Sequence, residues 1–347
     1  MILPHTNTSV LVLLFLCMLC WGSWPVFFKM ARKYRFELFY FDFAFGLVIA
    51  ALICAFTAGS WGYDGFGFKD DLINARKQEW LLAFLAAVIF NFGNMFTMAA
   101  ISVAGMTLAM PVAFGIALFA GSWMSYLGQS GLDGTLLTGG TVLILASTVL
   151  NCSAYSRLRL LQHEALARAG KTRSTRRPSA VKGILLALIG GLALGVFGPM
   201  LTRAQDPDDG VGPYAVLVLF AVGVAFSTFV FNLFFMNLPV EGDPLEITDY
   251  FKGAIRNHVL GISAGAVWGI GALAAFVAAT PKGDTHPTGA WATLPVAAAP
   301  LVAALWGLLV WKEYRTRDTR VKALAAVMLL LFAGGVVLFS YGTVAKP

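Results

Sequence analysis

Ten stretches of about 20 predominantly apolar residues follow one another along this chain of 347 residues, divided five and five by a basic segment around Arg157 to Lys182. A helix of that length crosses the hydrocarbon core of a bilayer, where each backbone N–H and C=O must be bonded within the protein. Strands of a membrane barrel would instead alternate apolar and polar residues over about 10 positions. A run such as Val216 to Phe226 does not alternate. The chain therefore reads as an all-α membrane protein, with spans near 8–29, 38–59, 79–101, 105–127, 134–154, 182–203, 213–237, 258–280, 290–311 and 320–342.

Composition sharpens this reading: 58% of residues are hydrophobic and 12% charged, and the 36 glycines are scattered rather than periodic. Small residues let membrane helices approach closely, and Gly190-Gly191, Gly195, Gly198, Gly261, Gly265, Gly269 and Gly271 suit a tight bundle. No Lys or Arg precedes the first span, and its apolar run continues through Trp24 without a small-residue cleavage site, so it reads as a retained helix rather than a secretory signal. Cys17, Cys20, Cys54 and Cys152 all fall within spans, where a thiol is a small packing group; Cys17 and Cys20 also form a C-x-x-C, the spacing of redox pairs.

The net charge of +7 is not spread over a soluble domain, as nucleic-acid binding would require. The basic residues cluster in alternate connections: Lys29 to Arg35 in the first, Arg157 to Lys182 in the central one, Lys252 and Arg256 in the seventh, and Lys312 to Lys322 in the ninth. By the positive-inside rule these connections are cytoplasmic, which puts both termini outside the cytoplasmic (inner) membrane.

Met110-Pro111-Val112-Ala113 in the fourth span matches Leu294-Pro295-Val296-Ala297 in the ninth. This predicts a first repeat over 1–156, a basic cytoplasmic linker over 157–181 and a second repeat over 182–347. With five spans each, the two repeats must be inverted in the membrane, a construction recurrent in secondary transporters.

Polar groups inside the spans are candidate site residues, because hydrocarbon penalises them unless they find partners or a wet cavity. Asn91 and Asn94 share one face of the third span, with Thr97 a turn further on; their amides suit either a small polar solute or a neighbouring helix. Trp21 and Trp24 also share a face. Trp21 is the better candidate to stack on a ring-shaped ligand, while Trp24, nearer the helix end, suits an interfacial belt. Pro25 leaves the carbonyl of Trp21 without its helical donor, and Pro199, in Gly198-Pro199, is the rough counterpart in the second half. Asp42, in Phe-Tyr-Phe-Asp-Phe, is the deepest acid, suited to carrying a proton or to pairing with a basic residue. Glu37 and Glu313 lie nearer the interface beside Arg35, Lys312 and Arg315 and read as gate or boundary ion pairs rather than substrate ligands. Trp268, Pro300 and Trp306 lie at similar depth in the second half, and Ser227, Thr228 and Asn232 in the seventh span are further polar candidates. Gly170-Lys171-Thr172 lacks the first glycine of a phosphate-binding loop. His5, His163, His258 and His286 lack metal-ligand spacing. No cofactor, metal site or enzymatic constellation is indicated.

Trp21-Gly-Ser-Trp, Arg35-Phe-Glu-Leu-Phe-Tyr-Phe-Asp42, Phe231-Asn-Leu-Phe-Phe-Met-Asn237, Trp268-Gly-Ile-Gly and Leu294-Pro to Trp306-Gly, ending in Lys312-Glu-Tyr-Arg315, together resemble the ureide permeases. The similarity extends to the glucose and rhamnose uptake branch of the drug/metabolite transporter superfamily. It implies a ten-helix secondary carrier for proton-linked uptake of small polar solutes such as ureides, nucleobase-like heterocycles or sugars. It also strengthens Asp42 as a functional carboxylate.

The resulting expectation is alternating access, with Trp21, Asn91, Asn94 and Trp268 at a central cavity and Asp42 as a proton-coupling or gate group. Pro25, Pro199 and Pro300 would shape broken or bent helices. The expected partners are a small polar solute, a proton (sodium being the other candidate ion) and the lipid bilayer, in a monomer or homodimer. Multidrug or metabolite efflux is the alternative, and a non-transporting membrane receptor or scaffold the reading from another class.

Overall fold

A computed structural model describes residues 1–31, 33–128, 132–170, 180–205, 210–280 and 293–343. Arg32, the 171–179 part of the central basic segment and His286 lie outside the described residues.

The main helices are α1 (Asn7–Met30), α2 (Phe36–Phe56), α3 (Lys77–Ala104), α4 (Met106–Gly128), α5 (Gly134–Arg168), α6 (Val181–Ala204), α7 (Pro213–Asn237), α8 (Ile255–Ala278), α9 (Leu294–Leu305) and α10 (Thr319–Gly342). Among the described residues nine are long and apolar enough to cross a membrane; α9 is shorter and continues into a π-helical turn, Trp306–Val310. No strand occurs among the described residues. Short helices, Phe68–Asn74 and Thr248–Phe251, sit in the α2–α3 and α7–α8 connections.

Local chemistry sets several boundaries. Thr6 and Ser9 cap α1 reciprocally, Asp133 accepts from Thr135 and Leu136 N–H to start α5, and Asp318 accepts from Val321 N–H to start α10. Gly105, at φ 84°, permits the sharp passage from α3 to α4.

Two expectations need correction. The helices run without interruption through Pro25, Pro199 and Pro300, so the chain does not break there. The neighbouring helices confine these segments, and one missing hydrogen bond per proline does not end them. Helix α5 has 35 residues, about 50 Å at 1.5 Å per residue. It outruns the bilayer and carries the first part of the segment read as linker, 157–168, as helix. Arg157 there donates to Asp318 at 2.6 Å, which anchors the extension to the start of α10.

Helix α1 packs on α8 and α9, α6 on α3 and α4, α2 on α7 and α8, α3 on α7, and α5 on α10. Glycine makes the closest of these contacts possible. A methyl on Gly46 of α2 would overlap the Ile262 carbonyl of α8, one on Gly265 would overlap the Phe43 carbonyl, and one on Gly190 of α6 would meet Gly93 and Thr97 of α3. Backbone thus touches backbone along the seams that frame the centre of the bundle.

Candidate functional site

A cavity of about 410 Å³ enters the bundle between α4, α6, α8, α9 and α10. Its mouth is formed by the end of α6 (Thr202, Gln205), the residue before α9 (Thr293) and the residue after α10 (Thr343), and therefore lies at the end of the molecule that holds Thr343. Deeper walls are Phe114, Leu194, Phe197 and Phe276, and Trp21 is reached from α1. The described lining carries no charged side chain.

Below the cavity the aromatic rings close ranks. Trp21 stacks on Trp268 with centroids 5.5 Å apart and planes 13° apart, and Trp268 stacks in turn on Phe220 at 5.5 Å and 9°. Phe90 lies 4.5 Å from Trp268, and Phe43 approaches it edge-on. The small residue Gly271 admits the Trp21 indole against α8. Trp21 and Trp268 are thus brought together, but of the two only Trp21 lines the cavity. Trp24 is not in an interfacial belt: it is buried against Phe43 at 5.1 Å. Pro199 lines the cavity, whereas Pro25 and Pro300 are packed inside their helix contacts.

Asn91 and Asn94 do not line this cavity. They lie in a buried polar network with a residue that sequence reasoning passed over, Tyr40. The Tyr40 hydroxyl donates to Asn91 Oδ1 at 2.8 Å and accepts from Asn94 Nδ2 at 2.9 Å. Asn91 Nδ2 donates to Ser227 Oγ, Thr228 Oγ1 and the Val224 carbonyl of α7. Every polar atom of the Asn91 amide is therefore engaged in this conformation.

Charged contacts gather at the opposite end of the bundle, where a second cavity of about 320 Å³ is lined by Lys29, Tyr34, Arg35, Glu37 and Glu241. Lys29 at the end of α1 meets Glu313 at 2.7 Å. The same carboxylate accepts from the N–H groups of Met106 and Thr107, so it also caps the start of α4. Arg35 clamps the buried Glu37 through two bonds of 2.6 and 3.1 Å, and Asn232 donates to the Glu37 carbonyl. Glu37 and Glu313 are boundary ion pairs as expected, although Glu313 takes Lys29 from across the bundle rather than its chain neighbours.

Asp42 sits beside these contacts and is fully buried. His258 Nδ1 at the start of α8 lies 3.0 Å from Oδ2, and the Tyr250 hydroxyl of the short α7–α8 helix donates to Oδ1 at 2.5 Å. The Tyr34 hydroxyl donates more weakly at 3.5 Å. Gly261 is needed here, since a methyl would collide with the Asp42 Cβ. Burial, and next the Asp42 carboxylate, push both phenols well above the usual tyrosine range, so they remain donors. His258 reads as an unremarkable span-end histidine in the sequence; its partner is 216 residues away.

A family model described as ureide permease matches residues 167–341. Ureide permease 4 of Arabidopsis thaliana is 22% identical, with 97% of each chain covered, and ureide permease 2 of the same plant is 21% identical at the same coverage. A crystal structure aligns with 95% of this chain and 96% of its own at a TM-score of 0.52 and 16% identity, a likeness of fold alone.

Proposed function

This chain belongs to the ureide permease family and is a multi-pass integral membrane protein; from that premise we propose that it is a secondary transporter of small polar solutes working by alternating access. The observation that carries the reading is the asymmetry of the bundle. A cavity of small-molecule size with a neutral described lining enters from one end and stops at the Trp21–Trp268 stack, while at the other end a charged pocket of about 320 Å³ is lined by Lys29, Arg35 and Glu37 beside the ion pairs. With both termini outside, the neutral cavity faces outward in a carrier of the inner membrane.

Two inverted five-helix repeats, with ten helices crossing the membrane, make the cycle possible. Exchanging α1–α5 for α6–α10 turns the pair α1–α8 into α6–α3, α1–α9 into α6–α4, and α2–α8 into α7–α3, and all of these are packed pairs. Pro25 and Pro199 also stand equally far from the starts of their helices, Asn7 and Val181. Such a pairing lets the two ends trade places by one rocking motion.

The solute is uncharged, since the described cavity lining offers aromatic faces and neutral groups such as Thr202, Gln205 and Thr293 and no counter-ion. A ureide, a nucleobase-like ring or a sugar fits that description. Trp21 with Trp268 behind it forms the stacking floor, and Asn91 and Asn94 are the amides a solute would meet once that floor parts. Asp42 is the coupling carboxylate for a proton. The largely apolar wall of Phe114, Leu194, Phe197 and Phe276 is the observation that favours the second reading, efflux of apolar compounds.

Uptake of labelled allantoin, uracil and simple sugars into proteoliposomes, with and without an inward proton gradient, tests the proposal. The native chain should accumulate at least one of them under the gradient, and Asp42→Asn should lose that stimulation. Movement of apolar drugs instead, with none of these solutes taken up, would replace import by efflux.

A further inference from the structure

The Asp42 cluster has a chemical organisation that a boundary ion pair does not need. Two titratable groups face each other across α2 and α8, and two phenols from separate connections point their hydroxyls at the carboxylate. Tyr34 also lies 3.4 Å from His258 Nδ1. The pair is uneven in its access to water: the Asp42 side chain is 1% exposed and that of His258 16%. The imidazole is therefore the member of the pair from which a proton can pass to water while the carboxylate stays dry.

Among the described residues no cation is bonded to the pair, and Lys33, beside Tyr34, and Arg256, two residues before His258, are exposed. Lys252, two residues beyond Tyr250, is held by Asp249. Arg35 is held by Glu37 and Lys29 of α1 by Glu313. Cys17 and Cys20 are the other titratable groups α1 presents, with Cys20 further along against Gly271, and α7 has only Tyr214, at its far end. With one proton the Asp42–His258 pair has no net charge; without it the net charge is −1, which is costly in a membrane interior.

Resting on the transport reading above, we infer that His258 and Asp42 together hold one proton while this end of the carrier is closed and release it from His258 when the end opens. On release the imidazolium N–H bond breaks and the proton passes to water at the His258 side, leaving a neutral ring beside the Asp42 carboxylate. Tyr250 and Tyr34 position the carboxylate. Tyr250 in particular ties the event to movement, because its short helix, Thr248–Phe251, joins α7 to α8.

The test separates coupling from transport. With one proton per solute, an inward gradient of one pH unit supports about tenfold accumulation, whereas exchange of labelled for unlabelled solute needs no gradient. Proteoliposomes of the native chain, His258→Gln and Tyr250→Phe are compared in both assays with labelled allantoin, uracil and glucose, with size-exclusion elution reporting on folding. The inference expects exchange to persist in His258→Gln while accumulation falls from about tenfold to none and its pH dependence flattens. Tyr250→Phe, which removes one hydroxyl, should lower accumulation more than exchange. Accumulation by His258→Gln at the native level overturns the inference and leaves the transport reading standing. Loss of exchange and accumulation alike in a well-folded His258→Gln also overturns it, in favour of a structural role. Absence of exchange in the native chain overturns both.

Discussion

Asp71 shows at the scale of one residue how a buried carboxylate is tolerated beyond the spans. It lies in the short helix Phe68–Asn74, its oxygens accept from the Gly212 N–H that precedes α7, and burial raises its pKa against the pull of that bond. An acid raised by folding contributes stability below its unfolded pKa and loses it as pH rises through the folded value. Asp71→Asn keeps an acceptor for Gly212 and removes the charge. It should therefore raise the melting temperature at pH 7 by roughly 1–2 °C, the effect of a fraction of a kcal/mol in a chain of this size. The gain should vanish below about pH 4, where aspartate is protonated in either state; thermal unfolding at the two pH values decides it. Other single residues were legible to different degrees. Asp42 stood out because an acid in an aromatic run is rare in a membrane helix. His258 and Tyr40 did not, because contacts between helices 51 or 216 residues apart leave no mark on the local pattern. Depth misled for Trp24: a position near a helix end says nothing about which face meets a neighbour.

Elements were the most readable level, since hydropathy and length are local properties, and the span limits fall within a few residues of the helices except where α5 runs on to Arg168. What the pattern could not convey is which seams run backbone to backbone. Gly46 and Gly265 hold α2 and α8 together at such a seam, Gly46 one turn from Asp42 and Gly265 two turns from His258. Gly46→Ala drives a methyl into the Ile262 carbonyl and should cost about 1–3 kcal/mol by overpacking. A lowered melting temperature together with weaker proton-driven accumulation would show that the seam also sets the spacing of the pair. Native stability in this variant would mean that α2 and α8 have slack.

At the scale of the whole molecule the cavity, the stack and the ion pairs form layers along one axis, and access should change between them. Ala275 of α8 lines the cavity. Ala275→Cys should react with a membrane-impermeant thiol reagent added from the side of the termini, above the background of the native cysteines. A transported solute at saturation should slow that reaction, and labelling from the opposite side alone would reverse the assigned orientation. The layering was not legible in the sequence, because it depends on how the two halves meet. The neutral lining of the cavity has an electrical corollary. If the cargo brings no charge, the described walls offer none and the proposed coupling to one proton holds, the only charge carried inward per cycle is that proton, and turnover appears as an inward current equal to the solute flux. Each 100 mV of membrane voltage, negative inside, then adds about 2.3 kcal/mol to the drive on that proton. A cell could thus fill itself with solute on voltage alone, even where the two sides share the same pH.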